Sequence, residues 1–444
     1  MSYNINGVKR IDLEHWRVSL HKPVRVYQQQ EDDFHVTRPN LCRFKNAIGI
    51  IFQSTADSHS TARDHRHICI SEDQGSSWQL AVKNADVNNY SLISLENGTV
   101  VTMPSESRKI CDDEKGFYGP RSEIFWDGEK LDIKHDKCTV RMPKELMRPL
   151  KDKFLSGGES IGRQDKPFGD IWGTIQVLKD GRWICPGSGC YADEERNPDD
   201  DPETPCRNMG IFHNYLLTSG DEGHTWNWLC DIASPNDISG GTHEGTTETH
   251  FYEFEDRWRC IFRTNGLVYN KPLHYCDSFD LGITWTKPVP LSKHYYVSNY
   301  YNSPWEADTR APLIKNVDGQ IDPRGLIMPD GTTVLTTGRP GSDIYLAGGT
   351  GTDFFKIDIV AHHNSLYPDN LLNTNSFRDR FPGNKNFYPN TGHTDVLLLD
   401  NNKLIFTYDR IPDGWRHSGS WKHKNTAFTA PDEIYSVIVE IEPK

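Results

Sequence analysis

The chain has 444 residues, 36% apolar and 25% charged, and a formal net charge of −13. That length holds two or three ordinary domains or one large repeat architecture. The acidic balance, without a block of Lys/Arg, argues against nucleic acid as a partner, and no apolar run reaches the length of a membrane-spanning helix.

The opening stretch, "MSYNINGVKRIDLEHW", lacks the apolar core of a secretory signal. The ten cysteines are scattered with no C-x-x-C pair, which reads as reduced, buried thiols in a cytoplasmic protein. No cofactor or resident metal is expected, and the sequence leaves the oligomeric state open.

Along the chain, an apolar strand-like run meets a short polar turn and a second apolar run six times. The turns fall at Asn46 ("RFKNAIGIIF"), Asn97 ("SLENGTVV"), Asp180 ("VLKDGRWI"), Asp256 ("YEFEDRWRCIF"), Asp330 ("IMPDGTTVL") and Asn401 ("LLDNNKLIF"). Three of them carry the Asn-Gly or Asp-Gly dipeptide that favours a tight hairpin. Successive turns lie 51, 83, 76, 74 and 71 residues apart, an irregularity that loop insertions produce.

A second pattern overlies the first: "SEDQGSSW" (71–78), "SGDEGHTW" (219–226) and "SFDLGITW" (278–285). In such a turn the Ser and Asp side chains accept backbone N–H groups, Gly takes a positive φ, and Trp pins the turn to what lies beneath. A strand candidate precedes each: "RHICI" (66–70), "NYLLT" (214–218) and "LHYCD" (273–277). The unit is therefore a hairpin, a loop, a strand, the turn and another strand. Six such four-stranded units with weak helical periodicity make an all-β, six-bladed β-propeller. The expected organisation is a single domain over 1–444, with 1–20 as an N-terminal extension. The last run, "EIYSVIVEIEP" (433–443), closes the ring by pairing with N-terminal residues.

In a propeller the first strand of each blade lines the axis, so equivalent positions converge there. Arg38, Glu248 and His393 each lie eight residues before their hairpin turn, and Arg324 lies six before its own. Strand alternation gives all four the same face. "HEGTTETH" (243–250) lacks the spacing that sets two imidazoles on one helix face, so it is not read as a metal site.

The three turns resemble Asp-boxes, the bacterial neuraminidase repeats, and the whole chain resembles the sialidase superfamily of six-bladed propellers. The resemblance implies an arginine cluster that reads a sugar carboxylate. "TRPNL" (37–41) supplies Arg38, "ETHFYEFEDRWRCIFR" pairs Glu248 with Arg263, and the third arginine is Arg324 or Arg339. It also implies an acid/base aspartate just ahead of the first Asp-box, where Asp64 stands 26 residues after Arg38. In the last blade the sequence departs from the family, with His393 where the nucleophilic Tyr is expected and Tyr388 five residues away.

The expected function is that of a glycoside hydrolase acting on a terminal acidic sugar. Asp64 would be the acid/base, and Glu248 would orient a neutral His393 that activates water and inverts the anomeric centre. Two other classes stay open: a lyase acting on uronic-acid glycans, and a propeller that binds carbohydrate without catalysis.

Overall fold

The computed structural model describes residues 8–33, 35–54, 66–103, 109–111, 116–143, 169–171, 173–189, 212–238, 245–265, 273–291, 321–338, 341–372, 392–412 and 430–444. All six expected hairpins are present, because each apolar run pairs with its neighbour across a polar turn that cannot be buried. The first joins Thr37–Arg43 to Ile48–Gln53, and Arg66–Ser71 and Gln79–Ala85 extend it into a four-stranded sheet. The fourth and fifth sheets repeat that order: Gly245–Glu253, Trp258–Asn265, His274–Ser278 and Val289–Pro290, then Ile321–Ile327, Thr332–Gly338, Asp343–Gly348 and Phe355–Asp358. The second and third hairpins share one ten-stranded sheet, joined by a short parallel pairing of 139–141 with 225–227.

Inner strands of neighbouring hairpins touch one another. Thr37–Arg43 contacts Ser91–Ser94; Trp183–Gly189 contacts Gly245–Glu253; from there contacts run to Ile321–Ile327, to Thr394–Asp400, and back to Thr37–Arg43. With the sheet shared by the second and third hairpins, this series makes a β-propeller and is consistent with six blades. Apolar clusters fill the space between neighbouring sheets, as where Leu216, Ile232 and Leu178 meet Phe251, Trp258 and Cys276.

Glu433–Pro443 forms a strand over the expected bounds, pairing with Lys403–Arg410 on one side and with Trp16–Leu20 and Val24–Gln28 on the other. The residues expected as an N-terminal extension are part of this sheet. Trp16, Val18 and Leu20 alternate into its core and are buried, and Lys9–Asp12 adds an outer strand. The alternation of "WRVSL" carries that signal. One α-helix stands among the described residues, Ile359–Leu366, with the Asp358 side chain capping its N-terminus. None of the described helices is long and apolar enough to cross a membrane.

The three Ser-x-Asp-x-Gly turns have one geometry. The Ser hydroxyl donates to the Asp carboxylate at 2.8, 2.8 and 2.9 Å and accepts the Gly N–H at 2.7, 2.9 and 2.8 Å. The residue before each Gly is itself left-handed: Gln74, Glu222 and Leu281 have φ of 57°, 55° and 58°.

Candidate active site

The ladder between the first two strands breaks in three hairpins: between Thr37 and Asn40, between Thr247 and Thr249, and between Ile321 and Arg324. At each break a non-glycine residue is left-handed, Arg38 at φ 56°, Glu248 at 44° and Asp322 at 46°. Each stands eight residues before its turn, and Pro follows both Arg38 and Asp322. A left-handed residue of this kind costs about 1–3 kcal/mol and persists only where its surroundings over-determine it. A bulge also re-aims the side chain it carries.

The surroundings at this hub are charged. Glu248 accepts a hydrogen bond from Arg263 Nη1 at 2.8 Å and another from the backbone N–H of Asp322 at 2.8 Å, which joins the fourth hairpin to the fifth. The Arg38 guanidinium donates to the Tyr90 hydroxyl and lies 5.0 Å from the centre of that ring. The same hydroxyl donates to Gln53 Oε1 at 2.9 Å. The backbone N–H of Arg38 reaches Asp409 Oδ2 at 3.3 Å.

Asp409 joins the last hairpin to the first. It accepts the Thr37 hydroxyl and the backbone N–H groups of Gly392 and His393. Burial opposes its charge, but hydrogen bonds from His393, Thr37 and Gly392 outweigh that and bring its pKa down to about 2. His393 Nδ1 lies 3.7 Å from Asp409 Oδ2, with only 2% of its side chain exposed. Burial lowers the imidazole pKa below its ordinary value, and Asp409 offsets part of that shift. A carboxylate at Nδ1 favours the tautomer that leaves Nε2 as acceptor.

The bulge between Ile321 and Arg324 interrupts the alternation that would give Arg324 the face of Arg38. Arg324 is buried and spans the hub, donating to Asp322 Oδ1 at 3.1 Å and to the Tyr90 carbonyl and Thr174 hydroxyl at 3.2 Å each. Burial opposes its charge, yet Asp322 and Asp395 keep its pKa above the ordinary value. Around it, burial raises Asp395 to about 6 and lowers His250 to about 3. His250 packs edge-on against Tyr252 at 4.5 Å.

The structure thus brings Arg38, Glu248, Arg263 and His393 to one hub, with Arg324 bonded to Asp322 and Tyr90 in the same network. Asp64 and Arg339, and Tyr388 with them, lie outside the described residues. Among the described residues no group of His, Cys, Asp and Glu could hold a metal ion. The described cysteines are, Cys230 apart, buried. Sequence reasoning missed Asp322, although the same eight-residue offset and a following Pro mark it. It also missed Asp409 and Tyr90, which no spacing marks, because their partners come from other hairpins.

No protein-family model matches the sequence, and no curated protein matches it. Solved structures do resemble it. A Dyadobacter fermentans protein of unknown function is 16% identical with a TM-score of 0.57, covering 99% of this chain and 100% of that one. The GH93 α-L-arabinofuranosidase of Fusarium graminearum, solved with arabinobiose, is 12% identical with a TM-score of 0.51, covering 95% and 98%. A Hadza microbial sialidase is 13% identical with a TM-score of 0.49, covering 85% of this chain and 64% of that one. At these identities the likeness is one of fold.

Proposed function

We propose that the protein is a glycoside hydrolase working at the propeller hub. The observation that carries this reading is the buried Asp409–His393 pair beside the Glu248–Arg263 pair, at the point where the first strands meet. Glycosidic cleavage builds positive charge on the sugar ring and needs a proton moved at the attacking or leaving oxygen. Glu248 supplies negative charge for the first requirement. His393, neutral near pH 7 and facing Asp409, supplies a base for the second by taking a proton from the attacking water at Nε2, while the leaving oxygen takes a proton from Asp64, the acid that the sequence indicates. Water attack of this kind inverts the anomeric centre. A glycoside hydrolase among the proteins of like fold supports the reading.

Two of the arginines expected to read a substrate carboxylate have protein carboxylates beside them. Arg263 faces Glu248, and Arg324 faces Asp322. The reading therefore asks for a glycoside and does not require an acidic one.

The test is hydrolysis of a panel of aryl glycosides by the wild-type protein, Glu248→Gln and His393→Ala, with NMR of the first-formed anomer. We expect turnover of at least one glycoside with inversion. Each variant should lose about 10²–10⁴-fold in kcat, the scale of a lost acid–base group. The acid limb of the wild-type kcat/KM profile should lie below pH ~6.5, because burial lowers the His393 pKa from that ordinary value. Full activity in both variants would remove the reading.

A further inference from the structure

We propose that the third Ser-x-Asp-x-Gly turn is a self-association surface, through which two copies of this chain pair weakly about a two-fold axis. This surface lies at the rim, away from the hub, and its test reads mass rather than turnover.

The three rim turns share their hydrogen bonds and their left-handed residue, so the turn itself does not dictate what its outward positions carry. Those positions hold Glu72, Gln74 and Ser76 in the first turn and Gly220, Glu222 and His224 in the second, all exposed. In the third they hold Phe279, Leu281 and Ile283, which are 62%, 64% and 82% exposed. Leu281 is left-handed at φ 58°, a conformation that a bulky apolar residue adopts only at a cost. Such turns already serve this fold as packing surfaces. From the long hairpin of Gly116–Trp126 and Leu131–Arg141, Trp126 Nε1 donates to Glu72 at 3.3 Å and Arg121 Nη2 to the Glu222 carbonyl at 3.2 Å.

The size and charge of the patch point to a second copy. Phe279, Leu281 and Ile283 together expose on the order of 400 Å² of apolar surface, and a two-fold axis sets one such patch against its equal. A pair of this kind buries on the order of 800 Å², which is the scale of a weak, reversible contact. Charges of both signs border the patch. Arg257 lies 4.9 Å from the centre of the Phe279 ring and pairs with Asp256 and Asp277, and Asp280 and Lys287 flank the turn in sequence. Two copies that each carry −13 repel over most of their surface, and here they meet with their charges balanced. The same acids oppose an anionic membrane. Strand-to-strand pairing is blocked next to the turn, because the outermost strand of this sheet is only Val289–Pro290 and its proline lacks an N–H. Association therefore falls to the side chains.

The experiment is sedimentation velocity on the whole chain from about 1 to 200 µM, at low and at high salt. The wild-type protein should pass from monomer to dimer with a Kd of about 10–100 µM, and high salt should tighten the pair by screening its net charge. A triple variant, Phe279→Glu with Leu281→Gln and Ile283→Ser, installs the outward residues of the first turn. It should weaken the dimer at least about tenfold and leave the far-ultraviolet circular dichroism unchanged. Ile283→Asp should weaken it likewise, by setting like charges against each other across the axis, and it decides alone if the triple variant does not fold. A wild-type protein that stays monomeric, a dimer that survives in either folded variant, or species larger than a dimer would overturn the inference. Flotation with phosphatidylcholine vesicles is run beside it. Vesicle binding by the wild type that both variants lose would assign the turn to lipid and overturn the inference as well.

Discussion

The rim turns and the hub bulges use the same costly backbone device and hold it in place differently. Among the described residues the left-handed non-glycines are three at the rim (Gln74, Glu222, Leu281), three at the hub (Arg38, Glu248, Asp322), and Asn84. At the rim, the hydrogen bonds that recur in all three turns come from within four residues, through Ser and Asp side chains. The left-handed side chain points outward, so Gln, Glu and even an exposed Leu are tolerated there. At the hub, hydrogen bonds reaching the bulges come from other hairpins: Asp409 receives Arg38, and Glu248 receives Asp322. The rim shows strain offset locally by a repeatable motif. The hub shows strain offset by the closed ring, which leaves its side chains free to differ and to carry chemistry.

The largest expected effect tests that closure. Arg324→Met leaves Asp322 and Asp395 buried without their shared cation, and removing one partner of such a set costs about 3–5 kcal/mol. Denaturant midpoints of the variant and the wild type would measure it, and a loss below about 1 kcal/mol would mean that the hub does not depend on its central arginine.

Asp409→Asn comes next, at about 2 kcal/mol near neutral pH. The sign follows from its pKa, which is about 2 in the folded protein against 3.8 ordinarily. Its stabilisation is complete above pH 3.8 and fades as the pH falls through about 2. The gap between wild type and variant should therefore close in that window. A gap independent of pH would assign the effect to packing.

At the rim, Asp73→Ala, Asp221→Ala and Asp280→Ala should each cost about 1 kcal/mol, as loss of a capping side chain does. The three values should agree closely because the turns share one geometry. A spread as wide as that expected among hub variants would break the contrast drawn here. The smallest effect is expected for Leu281→Gly. Relief of a left-handed side chain and the added freedom of glycine roughly cancel, leaving a change within about 0.5 kcal/mol.

Much of the fold was legible because its signals are short-range. Alternation, Asn-Gly and Asp-Gly turns, and the Ser-x-Asp-x-Gly repeat each act within a few residues, and they gave the six hairpins and the closing strand at Glu433–Pro443. Measuring back from the turns located Arg38, Glu248 and His393, because a strand keeps a constant rise per residue. The same ruler passed over Asp322, which stands eight residues before Asp330. Alternation holds only along an unbroken ladder, and the ladder breaks between Ile321 and Arg324.

Sequence alone determined the propeller, its rim turns and the offset at which the hub residues stand, since each follows from local backbone preferences and the period of a strand. Only the tertiary structure decided which charges meet. That Asp409 backs His393, that Asp322 holds Glu248 in place, and that Arg324 spans the hub to Tyr90 and Thr174 all depend on closing the ring. Closure brings residues hundreds of positions apart within hydrogen-bond reach, and no local preference encodes that distance.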